Sequence, residues 1–265
     1  MRPTYALREI KSSFNHCADA QPFLYRYVIR PVSFFVTYGV LKVRMTANQA
    51  TLIGLLFGMA GVFLFFKWVQ PYVAWGVVWY ALARVFDFVD GNIARVTNSA
   101  SYWGKFVDGI VDASVETFLP LSLVIGFFGI TGSVVFLYFG IATSILYLLS
   151  YFIFTRLSFF NRWMNAELRD SSPLEGPGRE LNPLKTKRFP LAIIANITTD
   201  FKIVGVVLVG AVGLTPALLA FILLSIAVHT VPLIVIPLLD AADNLNIHRI
   251  SKWDSRAESA VRKKV

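Results

Sequence analysis

Six stretches of this chain run for close to twenty residues with few or no charges, the length a helix needs to cross the hydrocarbon of a bilayer. They fall at roughly 47–67, 71–96, 102–128, 133–155, 199–214 and 216–239. The fifth is short and could begin nearer Leu191. Abrupt turns separate them, at Gln70-Pro71, Gly129-Ile130-Thr131-Gly132 and Thr215-Pro216. In hydrocarbon a segment must satisfy its own backbone N–H and C=O groups, so each stretch is expected to be a helix. Composition agrees: 56% of the 265 residues are hydrophobic and the mean hydropathy is +0.61, oilier than a soluble domain requires. The expected fold class is an all-α integral membrane protein, with six transmembrane helices preceded by an amphipathic cytoplasmic interfacial helix.

Charge sets the orientation. There are 25 Lys and Arg against 16 Asp and Glu, a net charge of +9. In so apolar a chain that excess points to membrane lipids carrying negative headgroups and not to nucleic acid. The loops after the first, third and fifth spans hold one basic residue between them, Lys67. The opposite side carries the N-terminal segment, Lys105, the stretch from Arg156 to Lys202 and the tail from Arg249 to Lys264. The positive-inside rule makes that side cytoplasmic, with both termini there and the plasma (inner) membrane as the expected location.

The N-terminal segment Met1–Asn15 has mixed charge and no apolar core, unlike a cleavable signal peptide. The single cysteine, Cys17, excludes an internal disulfide and a thiolate metal cluster. Residues 20–44 are apolar but interrupted by Arg26, Arg30, Lys42 and Arg44. Helical spacing would place Arg26 and Arg30 on one face beside Phe23, Leu24, Tyr27 and Val28, with Pro31 breaking or bending the run. A helix lying in the cytoplasmic interface fits better than a seventh span. Three parts are therefore expected: an N-terminal segment over 1–45, a six-helix catalytic domain over 46–240 and a basic cytoplasmic tail over 241–265.

The chemistry concentrates at the junction of the second and third spans. Asp87, Asp90, Gly91 and Ala94 recur at offsets of three, four and seven, one face of a helix. Gly104, Asp108 and Asp112, each four apart, form one face of the next helix. The short link from Thr97 to Ser101 turns the chain back, so the two faces can oppose and bring four carboxylates together near the cytoplasmic boundary. Such a group needs positive charge to offset it. Oxygen ligands without Cys or His point to Mg²⁺, Mn²⁺ or Ca²⁺, and two divalent ions would leave coordination positions open for phosphate oxygens. Gly91, Ala94 and Gly104 leave room for a ligand against the helix backbones, although small residues also let membrane helices pack closely. Arg84, Arg95 and Lys105 could assist with phosphate charge or neutralise single aspartates.

The run from Asp87 to Asp112, D-x2-D-G-x2-A-R-x8-G-x3-D-x3-D, resembles the signature of the CDP-alcohol phosphotransferases, with every fixed position filled. The resemblance extends to six spans, a preceding amphipathic segment and Thr46-Ala47-Asn48-Gln49-Ala50-Thr51, similar to the family's T-P-N-x-x-T with Ala47 in place of proline. It implies that Asp87, Asp90, Asp108 and Asp112 hold Mg²⁺ or Mn²⁺, with two ions, and that Asp112 is also the general base. It implies that Gly91, Ala94, Arg95, Gly104 and Asp108 meet the cytidine nucleotide. The reaction would be attack by an acceptor hydroxyl on the β-phosphorus of a CDP-linked donor, releasing CMP. Most simply the donor is CDP-diacylglycerol and the acceptor an alcohol or alcohol phosphate; a CDP-linked headgroup given to diacylglycerol uses the same motif. The family also suggests a homodimer.

Outside the motif, Glu116 continues the Asp112 face inward, where a hydrogen bond within the bundle or a contact to acceptor would suit it. Asp200 and Lys202, at the start of the fifth span, could line the same cavity. His229 stands alone and reads as a satisfied core histidine. The basic stretch with Arg156, Arg162, Arg169, Arg179, Lys185, Lys187 and Arg188 reads as a solvated loop holding topology, with anionic acceptor or lipid headgroups as further contacts. Two rivals remain. An intramembrane prenyltransferase would carry Asp-rich motifs in separate repeats, and a divalent-cation transporter would want acidic residues near the midplane.

Overall fold

The computed structural model describes residues 5–13, 22–67, 69–168, 189–213 and 215–262. Cys17, Arg169, Arg179, Lys185, Lys187, Arg188, Lys263 and Lys264 lie outside the described residues. The described chain is helical throughout: α1 (Leu7–Ser12), a π-helical turn (Tyr25–Ile29) running into α2 (Arg30–Lys42), then α3 (Ala47–Lys67), α4 (Tyr72–Val96), α5 (Tyr102–Thr131), α6 (Val134–Leu168), α7 (Phe189–Val212) and α8 (Pro216–Arg262). Six helices, α3 to α8, contain segments long and apolar enough to cross a membrane, as expected of a multi-pass membrane protein.

Two ends differ from the expectation: α6 continues to Leu168, and α8 carries on through the basic tail to Arg262, whereas α7 starts at Phe189, close to the earlier start near Leu191. Hydropathy finds where an apolar segment stops, whereas a helix stops where its hydrogen-bond ladder is broken. Polar residues extend a helix beyond the apolar zone without interrupting that ladder.

α3 packs against α4 and α5, α5 against α6, and α6 and α7 against α8. Gly61 permits the α3–α4 contact: a Cβ there would stand 2.9 Å from the Gly76 carbonyl oxygen. The central core takes Phe65 from α3, Tyr80 from α4, Leu119 and Leu123 from α5, Val209 from α7 and Ile222 from α8. Large apolar side chains such as Leu56, Phe63, Val135 and Leu224 face outward, suited to lipid contact.

The segment before the bundle is organised differently from the expectation. Arg26 is exposed and Arg30 is buried, because the π-turn between them shifts the angular register so that residues four apart no longer share a face. Pro31 does not break the run. It directly follows the π-turn, whose wider ladder (Arg30 N–H on the Tyr25 carbonyl) accommodates the ring within a continuous helical run. Arg30 lies over the Phe88 ring at 5.0 Å; burial, with Arg95 adding repulsion, lowers its pKa to about 10, so it stays charged. α2 turns its polar side to the protein: Ser33 and Thr37 are fully buried and receive hydrogen bonds from Asn92 Nδ2, each at 3.2 Å. Phe35 and Val32 face out. At the head of the segment, Asp200 on α7 accepts the backbone N–H groups of Phe23 at 2.7 Å and Leu24 at 2.9 Å.

Candidate active site

α3, α4 and α5 build the site by their ends. Thr46 and Gln49 close a capping box at the head of α3, Gln49 N–H donating to Thr46 Oγ1 at 3.3 Å and Thr46 N–H to Gln49 Oε1 at 2.9 Å. Ala47 in place of proline thus leaves the cap intact. α4 ends at Val96, and the chain reverses through Asn98, whose φ of 51° is left-handed backbone that asparagine tolerates. Ser101 caps α5 by accepting the Gly104 N–H at 3.0 Å. A Cβ at Gly104 would come within 3.2 Å of Ser101 Oγ and 3.4 Å of Asn48 Oδ1, so the heads of α3 and α5 meet there.

These ends bring the motif carboxylates together. One oxygen each from Asp87, Asp108 and Asp112 lies within 4.8 Å of the others. Asp90 borders the same cleft on its α3 side, where its Oδ2 accepts a 2.6 Å hydrogen bond from Thr51 Oγ1. Four carboxylates therefore converge as the two helix faces require, with three forming the tight group. Thr51 had no assigned role in the sequence reading. The signal was present in its place five residues beyond Thr46, but its partner is thirty-nine residues away. Three hard oxygen donors at this separation fit a divalent cation of the Mg²⁺ or Mn²⁺ type.

The cations stand in unequal positions. Arg84 is buried on α4, with Nη1 3.1 Å from Asp112 Oδ1 and 3.5 Å from Glu116 Oε1. Arg95 folds back over Gly91, where a Cβ would meet its Nη1 at 3.1 Å, and its Nη2 donates to Asn92 Oδ1 at 2.8 Å. Lys105 is exposed near the head of α5. Ala94 is partly buried, and its carbonyl accepts the Ser99 N–H at 2.9 Å.

Beside the tight group lies a cavity of about 270 Å³ that shares Asp87, Asp112 and Arg84 with it. Glu116 and Lys202 line this cavity as an ion pair at 2.5 Å, and Tyr80 Oη donates to the other Glu116 oxygen at 2.9 Å. Lys202 reaches the cavity as expected, whereas Asp200, two residues earlier, holds the Phe23–Leu24 backbone instead. His229 also lines it, held through Nδ1 by the Ala195 carbonyl at 3.1 Å and near Thr198 Oγ1 at 3.2 Å. Tyr25, Tyr147, Tyr151 and Thr199 complete much of the wall. None of these four was legible beforehand, because an aromatic or threonine in an apolar helix carries no periodic mark. Burial raises the pKa of the Tyr25 hydroxyl, which therefore stays protonated.

The family model for CDP-alcohol phosphatidyltransferase matches residues 44–230. The phosphatidylinositol phosphate synthase of Mycobacterium bovis is 28% identical over 91 residues, 34% of this chain and 41% of that protein. Its counterpart in Mycobacterium marinum is 29% identical over 91 residues, 34% of this chain and 38% of that protein. The chain thus spans about two fifths of the length of the curated relatives it matches. Solved structures of the Mycobacterium tuberculosis phosphatidylinositol phosphate synthase are similar in outline. The one with CDP-DAG bound aligns over 80% of this chain and 90% of that one, at 15% identity and a TM-score of 0.47. The one in complex with manganese and citrate aligns over 82% and 88%, at 14% identity and a TM-score of 0.49. The family model covers most of the chain and coincides with the helices that carry the aspartates: this protein belongs to the CDP-alcohol phosphatidyltransferase family.

Proposed function

We propose that the protein transfers a phosphatidyl group from CDP-diacylglycerol to the hydroxyl of a small alcohol, releasing CMP, in phospholipid biosynthesis. The observation that carries this reading is the cluster of Asp87, Asp108 and Asp112 at the family's motif, opening on a cavity that shares two of the three. The curated relatives, named as synthases of a phosphatidyl lipid, favour the same transfer.

Asp87, Asp90, Asp108 and Asp112 would hold two divalent ions, Mg²⁺ or Mn²⁺. When bound, such ions neutralise the diphosphate and stabilise the departing phosphate charge. Gly91, Ala94, Arg95, Gly104 and Asp108 would receive the cytidine nucleotide. Arg84 orients Asp112, whose carboxylate takes the acceptor proton as the hydroxyl oxygen bonds to the β-phosphorus. The bond from that phosphorus to the bridging oxygen breaks, and the electron pair leaves on CMP. Proton, phosphatidyl group and CMP are then all accounted for.

The basic loops favour a cytoplasmic site in the plasma (inner) membrane. A homodimer is the family expectation. The test is CMP release by the purified protein from CDP-diacylglycerol with Mg²⁺ or Mn²⁺ and a panel of alcohols. Metal flux across vesicles without CMP would indicate a transporter instead.

A further inference from the structure

Asn92 fills one of the unspecified positions in the D-x2-D-G-x2-A-R run, yet its side chain is buried and joins α2 to Arg95. Counting donors and acceptors fixes which way its amide points. Ser33 Oγ donates to the Arg30 carbonyl at 2.8 Å, and Thr37 Oγ1 donates to the Ser33 carbonyl at 2.7 Å. Each hydroxyl proton is thereby committed within α2, and the two oxygens present lone pairs. Asn92 Nδ2 donates to both, which uses its two hydrogens. The amide oxygen is left to accept Arg95 Nη2 at 2.8 Å.

A contact that only sealed α2 against α4 would close on itself. Here Ser33, Thr37 and Asn92 are buried, whereas Arg95, at the end of the chain of bonds, is exposed. The two hydroxyls stand one helical turn apart, so that a single amide meets both. An exposed arginine ordinarily keeps many rotamers. This one is held at two points. The Asn92 carbonyl takes one end of the guanidinium, and Gly91, where a Cβ would stand 3.1 Å from Nη1, lets the group lie against the helix backbone. Arg30 on α2 repels the same guanidinium, and the Asn92 carbonyl offsets that repulsion.

We propose that Asn92 is a positioning residue through which α2 holds the Arg95 guanidinium in place for the nucleotide's phosphates. This rests on the transferase reading, in which Arg95 meets the cytidine nucleotide. Ordering the side chain before binding removes a cost that binding would otherwise carry. Asn92 acts through Arg95 and not on the substrate.

The test joins two measurements on purified protein: calorimetric titration of CMP in the presence of Mn²⁺, and CMP release from CDP-diacylglycerol with a panel of alcohols. Asn92→Ala is expected to weaken CMP binding about three- to tenfold and to raise the KM for CDP-diacylglycerol similarly, with a smaller change in kcat. Ser33→Ala combined with Thr37→Val removes both acceptors on α2 and leaves Asn92 and Arg95 in place. A shift of about threefold in the same direction is expected. The deciding comparison is a double-mutant cycle with Arg95→Ala, in which Asn92→Ala should change CMP affinity less than about twofold. Should Asn92→Ala not fold, the cycle is run with the α2 pair.

Equal losses in the two backgrounds make Asn92 a structural residue only and overturn the proposal, as does CMP affinity indifferent to Arg95→Ala. Unchanged affinity in the Ser33→Ala, Thr37→Val protein overturns the part assigned to α2. Wild-type protein that binds CMP but releases none from CDP-diacylglycerol overturns the transferase reading, and the cycle in CMP binding still decides the role of Asn92. Wild-type protein that does not bind CMP overturns both.

Discussion

Arg84 Nη1 lies 3.1 Å from Asp112 Oδ1, so the carboxylate proposed as the base is held by a buried cation from the neighbouring helix. The same guanidinium reaches Glu116 at 3.5 Å and thereby joins the metal-type cluster to the cavity wall. Under the proposed transfer, variants within this electrostatic network are expected to affect acceptor binding and proton transfer together.

Asp112→Asn keeps the shape of the side chain and removes its basicity. CMP formation should fall about 10²–10⁴-fold, with CDP-diacylglycerol binding largely retained. Turnover near the wild-type rate would remove Asp112 as the base. Paired rate and binding measurements on the same preparation separate the two effects.

Chelation of divalent ions should abolish CMP release, and added Mg²⁺ or Mn²⁺ should restore it. Asp87→Asn takes a charge from the tight group and should move the metal titration to higher concentration. Calorimetric Mn²⁺ titration checks this without relying on activity. Superimposable curves for variant and wild type would exclude Asp87 as a ligand.

Thr51 Oγ1 donates to Asp90 Oδ2 at 2.6 Å, a hydrogen bond to a charged acceptor worth about 1.5–3 kcal/mol. Thr51→Ala should therefore lower turnover about tenfold or more, and Thr51→Ser, which keeps the hydroxyl, should recover most of it. Equal losses in the two variants would assign the effect to the lost methyl group and not to the hydrogen bond.

Asp200 accepts the backbone N–H groups of Phe23 and Leu24 through its two oxygens. Asp200→Ala removes both bonds and should loosen the segment before α2, raising the rate of tryptic cleavage at the exposed Arg26. Asp200→Asn has one accepting oxygen and should fall between the two. Because Tyr25 lines the cavity, a rise in the acceptor KM is expected to accompany the loosening.

The Asp87–Asp112 run was legible because its meaning is local. Offsets of three and four place side chains on one helix face whatever surrounds the helix, and a five-residue link leaves two such faces little choice but to oppose. Spans were legible for a similar reason, since hydrocarbon selects on length and polarity. Local rules failed where local geometry departed from the regular helix. The π-turn at Tyr25–Ile29 separated Arg26 from Arg30, and no spacing rule built on 3.6 residues per turn anticipates that.

By itself, then, the sequence determined the class of protein, the number of spans and the face on which the aspartates gather, because each depends on periodicity within a helix. Only the tertiary structure decided what stands opposite those aspartates. Glu116 and Lys202 are 86 residues apart, and Asp200 and Phe23 are 177 apart. Their pairing depends on which helices pack together and in what rotation, and no single helix's pattern encodes that. Those long-range pairs decide whether a buried cation is already held by a carboxylate, as Lys202 is by Glu116, or left to meet a ligand.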